Sequence, residues 1–340
     1  MAQQVTAQQP SPTLFFEALS AYERTEALKA AVELELFTAI GEGAATAQAA
    51  AKRCGASERG IRILCDYLTV IGFLTKEGNS YGLTPDTARF LDKRSAAYAG
   101  AAMGFLTSPM VTDGFQNLAA AVRKGGTVLG GEGDLEPNHP VWVEFAHSMA
   151  GLMALPATLI SKMLNIAQAG KMKVLDIAAG HGIFGITLAQ HNPNLEVVAV
   201  DWPNVLTVAT ENAQKAGVAA RHRTIPGSAF EVDYGGGYNL VLLTNFLHHF
   251  DVPACEKLLQ KVHAALVPGG RAVALEFVPN DDRITPPPAA AFSLKMLAGT
   301  PSGDAYTFSE YQRMFAHAGF ARTELRQLPP TFEQLVIAEK

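Results

Sequence analysis

Cysteine is nearly absent from this chain of 340 residues, where Cys54, Cys65 and Cys255 are the only three. An odd, widely spaced set offers neither a disulfide framework nor zinc-ligand spacing. The three read as small hydrophobes in a reducing compartment, the cytoplasm. Charge is sparse too, at 17% of residues with a net −5, and a chain without basic excess has no electrostatic reason to bind nucleic acid. Uninterrupted apolar stretches fall short of the roughly 20 residues that cross a bilayer, so no membrane partner is expected. Residues 1–12 lack the basic-then-apolar order of a secretory signal. No His, Asp and Glu cluster shows ligand spacing, so no metal is expected either. What remains is apolar material in quantity, 48% of the chain, enough for buried cores and an apolar subunit interface. The length favours two domains.

The two parts differ in character. Residues 14–98 read as helical with a small winged element. Apolar residues at helical spacing predict one helix over 20–40 that ends before Gly41. An alanine-rich helix over 46–53 breaks at Gly55, and Ser57 is placed to cap a second helix through Ile61, Leu64, Leu68 and Ile71. Runs at 73–76 and 80–83 flank Glu77-Gly78-Asn79, a hairpin signal, and Thr84-Pro85 opens another helix. Helix–turn–helix–wing is a DNA-binding outline, so a ligand-sensing winged-helix regulator is a rival function. The charges oppose it: up to residue 150 there are 12 basic and 16 acidic side chains. The would-be recognition helix sets Arg59 and Arg62 against Glu58 and Asp66, whereas a groove reader needs a basic face. Subunit pairing is the better use of this part. Residues 125–140, rich in glycine and acid, read as a connection. The helix over 141–164 that follows spaces Trp142, Phe145, Met149 and Met153 along one face.

From residue 173 the alternation is regular. Strands begin near Lys173, Glu196, Arg221, Asn239 and Arg271, with helices over 183–191, 205–216 and 253–266 between them. A helix over 309–318 and an apolar run over 332–338 follow. Such alternation implies an α/β fold, a mostly parallel sheet with helices on both faces. The most telling stretch is Val174-Leu175-Asp176-Ile177-Ala178-Ala179-Gly180-His181-Gly182. An apolar strand ends in a carboxylate, a small-residue turn follows, and the next strand ends at Asp201. Units of this kind bind nucleotide-like ligands above the strand ends, the second acid reaching ribose hydroxyls.

The turn, D-x-A-x-G-x-G, resembles the D-x-G-x-G-x-G of S-adenosylmethionine (SAM) methyltransferases more than the dinucleotide pattern. Downstream come Leu247-His248-His249-Phe250, then Leu266-Val267-Pro268-Gly269-Gly270 and a strand ending at Glu276. In combination the chain resembles the small-molecule O-methyltransferases, the plant phenolic and acetylserotonin enzymes and their bacterial relatives, over nearly its whole length. The resemblance implies a mainly α winged-helix dimerisation domain over 13–125, a linker and connecting helix over 126–165, and a Rossmann-like SAM methyltransferase domain over 166–340. It implies a homodimer that moves a methyl group from SAM, leaving S-adenosylhomocysteine, to a phenolic or enolic hydroxyl of a small, largely apolar acceptor.

Carried over residue by residue, His248 is the general base and Glu276 the carboxylate that orients it. His249 sits where many plant members have Asp. A phenol of pKa about 10 is protonated at neutral pH, and a histidine of pKa about 6.5 can take its proton as the new bond forms. Asp176, Ala178, Gly180, Gly182 and Asp201 would hold SAM, with Trp202, Ser228, Phe230 and Asn245 close to it. Phe145, Met149, Phe292 and Met296 are candidates for the acceptor pocket, each with plain core packing as the other use.

Three departures stand out. Ala178 replaces the first glycine of the turn, which is acceptable unless the backbone there takes positive φ. Gly227 is followed by Ser228 rather than by an acid, which weakens any adenine contact. The plant P-G-G-x-E segment falls on residues 301–305, where Ala305 takes the place of the acid and Asp304, one residue earlier, is the candidate substitute in the acceptor pocket. The same fold and donor also serve N-, S- or C-methylation, and the sequence leaves that open.

Overall fold

The computed structural model describes residues 9–130 and 138–340. Part of the expected connection, residues 131–137, lies outside the described residues. The chain divides into two compact units, Met1–Met103 and Gly104–Lys340.

The first unit is helical with a two-stranded wing. Its helices span Thr13–Leu19, Ala21–Glu33, Leu36–Gly41, Ala47–Cys54, Glu58–Val70 and Pro85–Phe90, and β1 (Leu74–Glu77) pairs antiparallel with β2 (Ser80–Leu83). Local chemistry sets the boundaries. The Thr46 and Ser57 hydroxyls accept the amide protons of Ala49 and Gly60 and so cap two helices. Gly55 ends the first of these in the left-handed region. The single helix expected over 20–40 is two helices, because Glu35 takes φ 54° between them. Its carboxylate is tied to Lys93 at 2.7 Å and to Arg53 at 3.4 Å, which helps hold a residue that has no glycine-like freedom. Leu36, Phe37, Ile61, Cys65, Leu68 and Tyr81 form the core. On the helix a DNA reader would use, Asp66 engages both Arg62 and Lys76.

In the second unit a seven-stranded sheet runs in the order β5-β4-β3-β6-β7-β9-β8. The strands are β3 (Met172–Ile177), β4 (Leu195–Asp201), β5 (His222–Pro226), β6 (Tyr238–Thr244), β7 (Leu266–Glu276), β8 (Arg322–Gln327) and β9 (Gln334–Glu339). The first five are parallel, and β9 runs antiparallel to both β7 and β8. The central strands are buried on both faces, hence their unbroken Val, Leu, Ile and Ala runs. Because β3 pairs with β4 on one side and β6 on the other, strand order reverses at β3, and the crevice above these carboxyl ends is where α/β folds bind ligands. Asp176, Asp201, Thr244 and Glu276 all sit at or beside those ends.

The helix Pro140–Met163 corrects one expectation. At 24 residues, it is long and apolar enough, by length and composition alone, to cross a bilayer. Its apolar face goes into the core instead: Ala146, Met149, Met153, Ala157 and Ile160 are buried, and it packs on helices Ile183–His191 and Pro203–Lys215. Ser161 near its end hydrogen-bonds His191 Nδ1 at 2.6 Å.

Candidate active site

The turn after β3 is built by backbone geometry. Ala178, Gly180 and Gly182 all have positive φ, 53°, 56° and 72°. The left-handed conformation does fall on Ala178, so the alanine is strained where glycine would not be. Gly182 then starts helix Ile183–His191, and the amide of Gly185 donates to Asp176 Oδ2 at 3.0 Å. A β-carbon on Gly185 would lie 2.7 Å from Val197 and 2.9 Å from Asp176 Oδ2, so this helix can approach the sheet only with glycine there. Asp176 is fully buried, and its Oδ1 has no hydrogen-bond partner. Burial pushes its carboxyl up to about 7, reinforced by the nearby Asp201 and opposed by the Gly185 amide.

Asp201, at the end of β4, accepts the Gly180 amide at 2.8 Å and that of Trp202 at 2.7 Å. Burial raises its carboxyl to about 6. Trp202 itself packs with Trp142, Val143, Ala146, Val205 and Val208, which leaves its ring in a hydrophobic cluster. Ser228 accepts the Phe230 amide at 3.2 Å and shapes a bend, while Phe230 rests edge-on against Phe250.

A second group gathers above β6 and β7. Asn245, at φ 53°, turns the chain out of β6, and its amide nitrogen donates to Glu333 Oε1 at 3.3 Å and lies 3.9 Å from Met153 Sδ. The short turn Leu247–His249 follows. His248 Nδ1 lies 2.5 Å from Glu276 Oε2, and Glu276 Oε1 accepts the amides of Phe246 at 3.1 Å and Leu247 at 2.8 Å. Glu276 has no exposed surface and His248 has 4%. The carboxylate is therefore anchored by the segment that carries the histidine, and with Nδ1 donating to it, Nε2 is left as the ring nitrogen that can accept a proton.

His249 differs. Its Nδ1 is buried without a partner, and burial together with its neighbour His248 lowers its pKa well below the usual histidine range. Its ring lies edge-on to Trp142 at 5.7 Å.

Of the expected pocket residues, Phe292 meets His248 edge-on at 4.8 Å and stacks on Phe277 at 4.1 Å. Phe145 lies over the glycine turn: Cε1 is 3.7 Å from where a β-carbon on Gly180 would be, and its ring stacks on His181. Met149 and Met296 are buried, at 8% and 3% exposed. Asp304 follows Gly303, whose backbone lies against that of His248 and His249. Its carboxylate pairs with Arg283 at 3.2 Å and is 37% exposed.

Sequence reasoning missed three residues. Glu333, ahead of β9, is a second buried carboxyl near Glu276 and His248, and burial raises its pKa. Its only signal is an acid abutting an apolar run. His181, inside the turn, has its Nδ1 accepting the Ile183 amide at 3.1 Å, and burial lowers its pKa to about 4. The third, Lys295, is a lone cation in an apolar helix. Among the described residues no three or more His, Cys, Asp or Glu are grouped as metal ligands.

A carboxylate-anchored histidine beside a strand-end crevice with two more acids is suited to proton removal next to a nucleotide-like ligand. Comparison with known proteins gives the family. Residues 139–321 match the O-methyltransferase domain family and residues 16–93 the O-methyltransferase dimerisation domain. A crystallised Nostoc punctiforme protein assigned as an O-methyltransferase is 57% identical, with 98% of this chain and 100% of that one covered and a TM-score of 0.94. The 3-hydroxy-5-methyl-1-naphthoate 3-O-methyltransferase of Streptomyces sahachiroi is 29% identical over 91% of this chain and 89% of its own. Human N-acetylserotonin methyltransferase, crystallised with SAM, shares the fold at 20% identity, with 100% and 99% covered and a TM-score of 0.84. With both halves of the chain accounted for, it belongs to the O-methyltransferase family and carries that family's dimerisation domain.

Proposed function

We propose that the chain, as a homodimer, methylates a phenolic or enolic hydroxyl of a small acceptor, with SAM as donor and His248 as general base. The observation that carries this reading is the buried His248–Glu276 pair, anchored by two backbone amides. The residues present fit the donor. The unpartnered Oδ1 of Asp176 and the remaining lone pairs of Asp201 suit a ligand with a cationic amino acid end and ribose hydroxyls, and the glycines of the turn allow its close approach. Asp176, Ala178, Gly180, Gly182 and Asp201 would hold it, with Trp202, Ser228, Phe230 and Asn245 at its margins.

SAM supplies an electrophilic methyl group. The chain's own part is alignment and proton removal. Glu276 keeps the His248 ring in the tautomer whose Nε2 is unprotonated, and Nε2 takes the proton of the acceptor hydroxyl. The neighbouring His249, with its lowered basicity, is a poor competitor for that proton. Phe292 flanks the base, and Phe145 covers the glycine turn. The relative from Streptomyces sahachiroi acts on a hydroxynaphthoate, which supports an aryl hydroxyl as acceptor.

Replacing His248 by Ala is expected to lower kcat on the best aryl hydroxyl acceptor by roughly 10²–10⁴-fold. The affinity for SAM, read by calorimetry, should stay within about twofold on this reading. Near wild-type turnover would defeat the assignment of the base. The dimerisation domain supports the homodimer, as does helix Thr13–Leu19, which buries none of its residues. Light scattering should give twice the chain mass at micromolar concentration, and a stable monomer would refute the dimer.

A further inference from the structure

The helix that supplies Phe292 and Met296 carries one charge, Lys295, in the otherwise uncharged stretch Pro287–Gly299. Its Nζ lies 5.6 Å from the Phe292 ring centroid, and that same ring meets His248 edge-on at 4.8 Å. The ammonium thus stands about one aromatic ring away from the base. The side chain is half-buried. Burial alone shifts its pKa, downward, with no carboxylate acting on it. Glu333, the other unassigned charge near His248, does not neutralise it: Glu333 is bound by Asn245, and the charges that act on it are those of Glu276 and His248. A ring contact at this distance offsets only a small part of the cost of desolvating an ammonium. Elsewhere in this unit half-buried lysines end on carbonyl oxygens, Lys261 on Ala229 and Val232, and Lys340 on His263 and Leu266. Lys295 has no such partner among the described residues.

We propose that Lys295 is a specificity-determining residue that pairs with an anionic group, in the simplest case a carboxylate, on the acceptor. This rests on the reading of the His248 cleft as the acceptor site and narrows its substrate class. The preferred acceptor is an aryl acid whose charged group lies about one ring from the hydroxyl to be methylated. A part-desolvated ammonium gains more from a carboxylate than from a neutral amide of the same shape, because the charge-assisted hydrogen bond forms where water competes poorly.

The test uses probes that cannot be methylated on oxygen at a hydroxyl, so it does not depend on turnover. The full-length protein saturated with S-adenosylhomocysteine is titrated by calorimetry with 2-naphthoate and with 2-naphthamide. Wild type should bind the acid about tenfold or more tightly than the amide. Lys295→Met should remove that preference without weakening the amide, and Lys295→Arg should keep most of it. Lys295→Gln serves in place of Met if thermal melting shows the latter to be unfolded. Equal affinity for both probes in wild type, no binding of the acid, or a preference unchanged in Lys295→Met would each overturn the proposal. Turnover of 4-hydroxy-1-naphthoate, whose hydroxyl and carboxylate stand on opposite sides of one ring, by wild type and His248→Ala reads the other claim separately. An intact preference for the acid with no loss of rate in His248→Ala would leave Lys295 its role and remove that of the base.

Discussion

Ala178 shows what a single residue reveals when its backbone angle is known. Its sequence position offered two outcomes, harmless if φ is negative and strained if φ is positive, and φ is 53°. A left-handed alanine costs about 1–2 kcal/mol. The turn nevertheless holds, because Ala179 donates to Val200 at 3.1 Å and Gly182 to Ala179 at 2.7 Å. Ala178→Gly should therefore stabilise the protein. The relieved strain exceeds the added flexibility of the unfolded chain, itself about 0.4–1 kcal/mol, by on the order of 0.5–1 kcal/mol. Urea denaturation of the ligand-free protein would show this as a higher midpoint at unchanged slope, and a lower midpoint would mean that the strain is absorbed elsewhere. Asp304 makes the opposite point. Sequence proximity to a missing acid nominated it, and its carboxylate pairs with Arg283. The buried carboxyl beside the base comes instead from Glu333, 57 positions beyond Glu276 in sequence and opposite it across β7 and β9, where Gln334 pairs with Glu276.

Elements were legible where their period was clear and obscure where it was not. The central parallel strands β3, β4 and β6 announced themselves as unbroken apolar runs because both of their faces are covered. Strand β8, Arg-Thr-Glu-Leu-Arg-Gln, did not: it is an edge strand with a single partner, and its side chains are half-exposed or exposed. The catalytic candidates His248 and Glu276 were named through the family resemblance, which Leu247-His248-His249-Phe250 and the strand ending at Glu276 carry. Their mutual contact was not readable, since it depends on β6 lying beside β7. Gly185 belongs to this scale as well. In sequence it is an unremarked glycine within a helix, a position where alanine is ordinarily better by up to about 1 kcal/mol. Here a β-carbon would press on Val197 at 2.7 Å and on Asp176 at 2.9 Å, both held in the sheet. Gly185→Ala is expected to destabilise by about 1–3 kcal/mol. It should also weaken SAM binding by displacing the amide that holds Asp176. Thermal melting and calorimetry check the two effects, and a melting temperature at or above that of wild type would show that the helix can shift at little cost.

At the scale of the whole molecule, the buried acids of the crevice couple stability to pH in an unusual direction. A carboxyl in the unfolded chain ionises near pH 4, whereas Asp176 is raised to about 7 and Asp201 to about 6 in the fold. Between those limits the folded state holds protons that the unfolded state has released. The contribution of these groups is therefore fully present at low pH and is lost as pH rises towards 7. Buried neutral histidines work the other way. His181, lowered to about 4, contributes stability above the ordinary histidine range and loses it as pH falls from there. The wild-type profile mixes the two, so the informative quantity is the difference between wild type and Asp176→Asn. The asparagine oxygen can still accept the Gly185 amide, and the charge is gone. Without ligand, the variant should gain stability relative to wild type as pH rises from 4.5 to 8, by on the order of 2–4 kcal/mol across the window. Guanidinium denaturation at several pH values measures this, and a difference that does not change with pH would show that Asp176 ionises normally in the fold. The same linkage gives the reason for keeping so costly a group. A cationic donor favours the ionised carboxylates, so SAM binding by wild type should tighten over the same pH range and release protons, whereas Asp176→Asn should bind weakly with a flatter pH dependence.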